Sequence, residues 1–323
     1  MKNPWHEIEK PDIDFNVRLV GESHPLRLYW GRDTQGRYLF IYESPPGMIP
    51  DRKSLPKLAG ISVVVAFSAS DTKLVLILND TVNWELFHSL CEDLVRATSS
   101  IDKDEHGSVI FLRRLSRWQE FLKRERSGIL SNEAIKGLIG ELLFLTDKVA
   151  KSFSWSDAVS FWKGPEDAPQ DFAVHDTAVE VKCQSGGSKP SVRVTSAEQL
   201  VPQLPRGFLA VYTIASADPG DPEAFTLNGL VAVIRSNLQA ESENTRERFE
   251  DLLFMAGYTT REEYDEQFFM RIALKCYEIV DGFPRIEMAS IPDGIERLSF
   301  TLRLESCSSF AATPDWWEEN NES

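Results

Sequence analysis

Three side chains in one short stretch, Asp171, Glu180 and Lys182, have the types and spacing to hydrolyse a phosphodiester. They fall in Ala168-Pro169-Gln170-Asp171-Phe172, a turn-rich Val174-His175-Asp176-Thr177, and Ala178-Val179-Glu180-Val181-Lys182-Cys183-Gln184. The last piece alternates. In a strand, Val179, Val181 and Cys183 face one way while Ala178, Glu180, Lys182 and Gln184 face the other. A hairpin through the middle piece would bring Asp171 beside Glu180. Two carboxylates that close repel, and one tends to keep a proton. A hard divalent cation removes the conflict. Mg²⁺, or Mn²⁺ in its place, suits one or two carboxylates, a carbonyl such as that of Val181, and several waters. Lys182 beside it could orient a water or help deprotonate it, or offset the charge of a pentacovalent transition state. No covalent nucleophile is needed. The competing reading is an exposed strand face, because Glu-x-Lys pairs are common surface decoration. The upstream Pro-x-Asp, the intervening turn and Gln184 favour the site.

Several elements must position these groups. A helix over 132–150 is predicted from Ile135, Leu138, Ile139, Leu142, Leu143, Phe144, Leu145 and Val149, which occupy more than one face and imply a largely buried helix. Glu141 is the only acid between Ile135 and Thr146. A buried carboxylate needs a partner, so Glu141 is either a metal ligand or half of a buried ion pair. Gly137 and Gly140 would let the helix approach a sheet closely. The second half then alternates between strand and helix, in the order of an α/β sandwich. It has a short helix at 195–201 and strands at 208–214, 228–234, 268–280 and 297–305, with an acidic helix over 243–256. Upstream, residues 17–80 read mainly as strands, with a hairpin at Asp33-Thr34-Gln35-Gly36 and a helix over 82–97. The resulting division is a β-rich α+β domain over 1–128, an α/β domain over 129–310 and a polar tail over 311–323.

Composition bounds the function. The 323 residues suffice for two domains. No run approaches about 18 apolar residues, and the first residues lack the apolar stretch of a secretory signal, so the expectation is a cytoplasmic protein with no membrane partner. Cys91, Cys183, Cys276 and Cys307 form no C-x-x-C pair, and the 5 histidines show no H-E-x-x-H spacing, so neither a zinc knuckle nor a disulfide framework is suggested. A formal charge of −15 opposes avid, non-specific nucleic-acid binding. A local patch could overcome this. The basic segment 112–127 carries Arg113, Arg114, Arg117, Lys123, Arg124 and Arg126, and Gln184, Lys189 and Arg193 stand nearer the acids as candidate nucleic-acid contacts. His175 reads as a turn residue rather than a base. Trp155 and Trp162 read as core residues, with base stacking as the alternative.

At these residues the chain resembles the PD-(D/E)XK nuclease superfamily. More narrowly, it resembles a bacterial family of PD-(D/E)XK-motif proteins of unknown function. The segments that carry the likeness are Lys136-Gly137-Leu138-Ile139-Gly140-Glu141-Leu142, Trp162-Lys163-Gly164-Pro165, Gln170-Asp171-Phe172 and Val179-Glu180-Val181-Lys182. The sharp motifs span only about residues 131–200. Gln170 stands where a strict Pro-Asp pair would place proline. The resemblance implies a restriction-endonuclease-like core, a mixed central sheet flanked by helices. It also implies Mg²⁺-dependent cleavage of DNA through Asp171, Glu180 and Lys182, with Glu141, Asp171, Glu180 and Val181 around the metal. The genes it resembles sit beside DNA methyltransferase and ATPase genes in phage-defence operons, which implies such partners. The alternative is a catalytically silent, nuclease-like subunit serving as an interaction module. DNA and RNA are not distinguished by the motif.

Overall fold

The computed structural model describes the chain outside residues 1–2, 50–54, 69, 100–103, 125–128, 167, 188, 296–297 and 318–323, with backbone alone at 104–106, 120–121 and 123–124. It forms two compact units, Met1–Gly128 and Ile129–Ser323. The architecture is mixed α/β, with several sheets and seven helices among the described residues. No helix among them is long and apolar enough to cross a membrane.

The first unit contains β1 (Phe15–Leu19), β2 (Arg27–Asp33), β3 (Tyr38–Ser44), β4 (Ile61–Phe67) and β5 (Thr72–Leu78), then α1 (Trp84–Ala97) and α2 (Asp104–Arg124). Its five strands form one antiparallel sheet in the order β1-β2-β3-β5-β4. The β2–β3 turn closes because Asp33 Oδ1 accepts the amides of Gln35 and Arg37, at 3.0 and 2.9 Å, while Gly36 takes a φ of 81°. Trp5 anchors the core. Its ring stacks on Tyr38 and Phe87 at 4.9 and 5.2 Å, and its indole donates to the Leu39 carbonyl at 2.8 Å. Truncating so large a buried ring costs about 3–5 kcal/mol.

The basic segment is helical as far as Arg124, but Arg114 is not a surface residue. It is buried and pairs with Asp93, Nε to Oδ2 at 2.6 Å and Nη2 to Oδ1 at 2.8 Å. Arg113 is exposed. The Lys123 and Arg124 side chains, and Arg126, lie outside the described residues.

The second unit begins with α3 (Asn132–Phe144), which runs through a π-helical turn at Leu145–Val149 into the short α4 (Ala150–Ser152). Next come α5 (Trp155–Phe161), β6 (Phe172–Val174), β7 (Thr177–Ser185), β8 (Ser191–Val194), a 3₁₀ turn at Ala197–Leu200 and β9 (Arg206–Ser216). The unit closes with α6 (Leu227–Asn237), α7 (Glu243–Met255), β10 (Phe269–Glu278) and β11 (Phe300–Arg303). The main sheet is mixed, in the order β10-β9-β7-β6, with β7 and β9 parallel and the other pairs antiparallel. Val179, Val181, Phe208, Ala210 and Tyr212 pack with apolar residues of α3, α5, α6 and α7. On the opposite face, Leu209 and Val211 pack with β8, β11 and Leu200. Gly140 lets α3 settle on β7: a Cβ there would lie 3.1 Å from that of Cys183. Gly137 faces open space and does not share that role.

Two expectations are corrected. Residues 228–234, expected as a strand, lie in α6. Its buried residues Leu227, Leu230, Val231 and Ile234 follow helical spacing, and Thr226 Oγ1 caps it by accepting the Gly229 amide at 3.0 Å. The segment from 311 onward is not simply a polar tail. Trp317 is buried, Trp316 packs on the same core, and Phe144 meets both rings. Residues 318–323 lie outside the described part.

Candidate active site

The β6–β7 hairpin turns on two residues, His175 and Asp176, with Val174 opposite Thr177 and Phe172 opposite Val179. His175 adopts a φ of 53°, as such tight hairpins require of a turn position, and its ring lies against Phe153 and Phe161. Asp171 stands just beyond the paired part of β6. Its Oδ2 accepts the Val181 amide at 2.7 Å, continuing the ladder with a side chain where the strand stops. A residue's N–H and C=O leave a strand on the same side, so the Val181 carbonyl lies along the same edge as Asp171. The Asp171 carbonyl is held in turn by the amides of Lys163 and Gly164, at 2.7 and 3.0 Å.

Glu180 and Lys182 share the sheet face of their β9 partners Leu209 and Val211. Glu180 is 1% exposed. Its Oε1 lies 2.5 Å from Lys182 Nζ, yet neither Glu180 oxygen receives a well-directed hydrogen bond. Lys182 also donates to Gln199 Oε1 at 3.2 Å. Glu141 reaches the same region from α3. Its Oε2 accepts the Trp162 indole N–H at 2.7 Å. Glu141 Oε2 and Asp171 Oδ1 each lie 2.7 Å from where a Cβ on Gly164 would stand. An open cleft of about 410 Å³, lined by Gly164, Ala168, Pro169, Asp171, Ser196, Glu198 and Gln199, lies over the Asp171 edge.

Three acids therefore share one ammonium, and their titration shows it. Burial pushes Glu180 well above the usual carboxylate range, and the Asp171 charge adds to this. Burial and the Asp171 charge do the same to Glu141, against the Trp162 hydrogen bond. Asp171 is raised by burial, partly offset by Lys182 and the Val181 amide. Burial works to lower Lys182, but the charges of Glu180 and Asp171 outweigh it and raise it. Perturbed groups cluster at functional sites, which makes this set a candidate.

Among the described residues, no three His, Cys, Asp or Glu side chains converge as a ready-made ligand set. A cation of the Mg²⁺ type needs only one or two carboxylates and completes its shell with carbonyls and waters. The carboxylate oxygens of Asp171, Glu180 and Glu141, the last two sharing one lysine with Asp171, fit such an ion and not a thiophilic one.

Sequence reasoning brought forward Glu141, Asp171, Glu180, Val181 and Lys182, and the fold gathers these around the β6–β7 edge. It places Gln184 further along β7 with both amide ends engaged, donating to Thr213 Oγ1 at 3.0 Å and accepting the Ser191 amide at 3.1 Å. Lys189 and Arg193 are exposed. Four contributors were missed. Trp162 reads from sequence as a core residue, with base stacking as the alternative, and not as a partner of Glu141; Gly164 lies in the Trp162–Pro165 stretch of the motif without a role of its own. Gln199 accepts from Lys182 and also from the Thr195 amide and hydroxyl, at 2.9 and 3.2 Å. Gln170 is buried and donates to the Glu198 and Val201 carbonyls, at 2.8 and 3.1 Å, tying the Asp171 loop to the 197–200 turn. The one available signal was its position directly before Asp171.

No curated protein and no solved structure matches the chain. A family model described as "Putative PD-(D/E)XK family member, (DUF4420)" matches residues 1–305. With that match covering nearly the whole length, the chain belongs to this PD-(D/E)XK family.

Proposed function

We propose that this chain is a Mg²⁺- or Mn²⁺-dependent endonuclease that hydrolyses DNA phosphodiester bonds. The observation that carries the reading is that Glu141, Asp171 and Glu180 all interact with the single ammonium of Lys182, next to a cleft that Asp171 lines. Asp171, Glu180 and the Val181 carbonyl would hold the cation, with Glu141 beside them. When bound, the cation supplies Lewis-acid charge to the phosphoryl group and makes a water more acidic. Without a cation, the charges of Glu180 and Asp171 raise the Lys182 pKa. Beside a cation, Lys182 would orient a water or help deprotonate it, or offset charge on the phosphoryl group. Gln199 keeps Lys182 in place. Lys189 and Arg193 are the candidate phosphate contacts, while Gln184 braces β8 against β9. By family resemblance, the setting is a cytoplasmic restriction or anti-phage system with methyltransferase and ATPase partners, and the core is restriction-endonuclease-like.

Plasmid cleavage with Mg²⁺ or Mn²⁺ tests this directly. Asp171→Ala and Lys182→Ala should each reduce cleavage at least about 10²-fold, the usual scale for losing one such electrostatic group. Cleavage that survives both substitutions removes the assignment. A second reading, a silent nuclease-like interaction subunit, is favoured by the direct Glu180–Lys182 pairing and by the net charge of −15. It predicts binding to partner proteins, no uptake of metal, and a Glu180→Ala variant that protects cells from phage as well as the wild type.

A further inference from the structure

The segment Trp162-Lys163-Gly164 lies outside the acid–lysine motif, yet it touches both carboxylates that bound the cleft edge. Gly164 has no backbone need to be glycine, because its φ lies outside the left-handed region. What excludes a side chain is the pair of oxygens, Asp171 Oδ1 and Glu141 Oε2, each 2.7 Å from the Cβ position, with Glu141 Cδ behind them at 3.4 Å. Carbon and oxygen do not approach that closely without something moving. Trp162 is fully buried beside Phe249, but its one polar atom leaves the core and donates to Glu141 Oε2 at 2.7 Å. A buried indole N–H needs an acceptor, and this one occupies one lone pair of Oε2 and fixes the rotation of the carboxylate. Asp171 is fixed likewise, with Oδ2 on the Val181 amide and Oδ1 turned to Gly164. Two fixed, half-buried carboxylate oxygens thus converge on the backbone at Gly164, closer than a Cβ would allow.

The geometry points to Gly164 and Trp162 as the residues that admit and orient a divalent cation between Glu141 and Asp171. Gly164 does so by carrying no Cβ that would push the two oxygens away, and Trp162 by fixing Glu141 beside Asp171. This rests on the cation-dependent reading above and extends it to two positioning residues. Partners that orient a metal ligand typically contribute 10- to 100-fold in metal affinity.

Mn²⁺ titration of the chelator-stripped full-length chain, with free Mn²⁺ followed by electron paramagnetic resonance, tests the inference without any activity readout. Gly164→Ala should weaken Mn²⁺ binding at least about tenfold, and Trp162→Phe by about 10- to 100-fold. The Trp162→Phe effect should vanish in a Glu141→Gln background, because the indole acts through that carboxylate. A purely structural role would persist there and overturns the assignment of Trp162. Wild-type affinity in a folded Gly164→Ala variant overturns the role of Gly164. If that variant fails to fold, the Trp162 and Glu141 cycle decides alone. A wild-type chain that takes up no Mn²⁺ overturns the metal-dependent function as well, so the two failures are distinguishable.

Discussion

Each unit of this protein buries acids, and the two treat them in opposite ways. In the first unit, Asp93 is satisfied on every side: Arg114 binds both oxygens, Arg96 donates at 2.9 Å, and the Trp118 indole donates at 2.8 Å. Burial alone would raise its pKa, but the arginines and the indole bring it down to about 2. In the second unit Glu141, Asp171 and Glu180 share Lys182, and all three are raised. An indole donates to an acid in both places, Trp118 to Asp93 and Trp162 to Glu141, so the indole does not mark function. Charge balance separates the two. Around Asp93 the arginines outnumber the acid, whereas in the second unit three acids share one lysine.

The largest test of the contrast is Arg114→Ala. It leaves a buried aspartate without its main partner and should cost about 3–5 kcal/mol, read as a lowered denaturant midpoint for the first unit. No similar loss should follow from removing an acid at the site. Metal addition comes next. At about a hundredfold excess over its Kd, Mn²⁺ should stabilise the second unit by about 2.7 kcal/mol. In thermal melts the Asp93 network should not respond, and a shift that survives Asp171→Ala would break the comparison.

How much of this was legible without coordinates follows the same division. Glu180 and Lys182 could be read because strand alternation puts charge on one face of an otherwise apolar segment. Glu141 stood out as a lone acid in a buried helix. Arg114 was counted as part of a basic surface because its partner Asp93 lies 21 residues away, on another helix. Val231 to Ile234 looked like a strand because the run is apolar and β-branched. The spacing of Leu227, Leu230, Val231 and Ile234 held the correct answer. Trp162, Gly164, Gln170 and Gln199 were likewise beyond reach. Their contacts join segments far apart in sequence: Trp162 and Gly164 meet Glu141 of α3, Gln170 meets the 197–200 turn, and Gln199 meets Lys182 of β7.

A pH titration of stability sharpens the contrast through its sign. Asp93 has a depressed folded pKa, so its contribution is present above the usual aspartate range and is lost as pH falls through about 2. The site acids have raised folded pKa values, so their contribution is full below the usual carboxylate range and is lost as pH rises through the elevated values. For the metal-free chain, the second unit should therefore lose stability from about pH 4 upward, by at most about 1.4 kcal/mol per pH unit for each acid. The first unit should instead gain stability between about pH 4 and the usual histidine range, because burial lowers the folded His88 pKa to about 4. Denaturant midpoints followed separately for each unit would show it, and parallel pH profiles would refute it.

The smallest effect isolates one group. Glu180→Gln keeps the shape of the side chain and removes a buried acid that the folded state resists ionising. At pH 8 the metal-free variant should be more stable than the wild type by about 1 kcal/mol, the trade expected where a functional group is held against stability. The gain should vanish near pH 4, where Glu180 carries its proton in both states and glutamine has nothing left to relieve. Asp93→Asn should do the reverse at pH 8, because an amide can neither balance Arg114 nor accept its paired donors as a carboxylate does. If Glu180→Gln instead destabilised the metal-free chain at pH 8, the Lys182 pairing would outweigh the desolvation of Glu180. The second acid cluster would then be a balanced structural network of the same kind as the first.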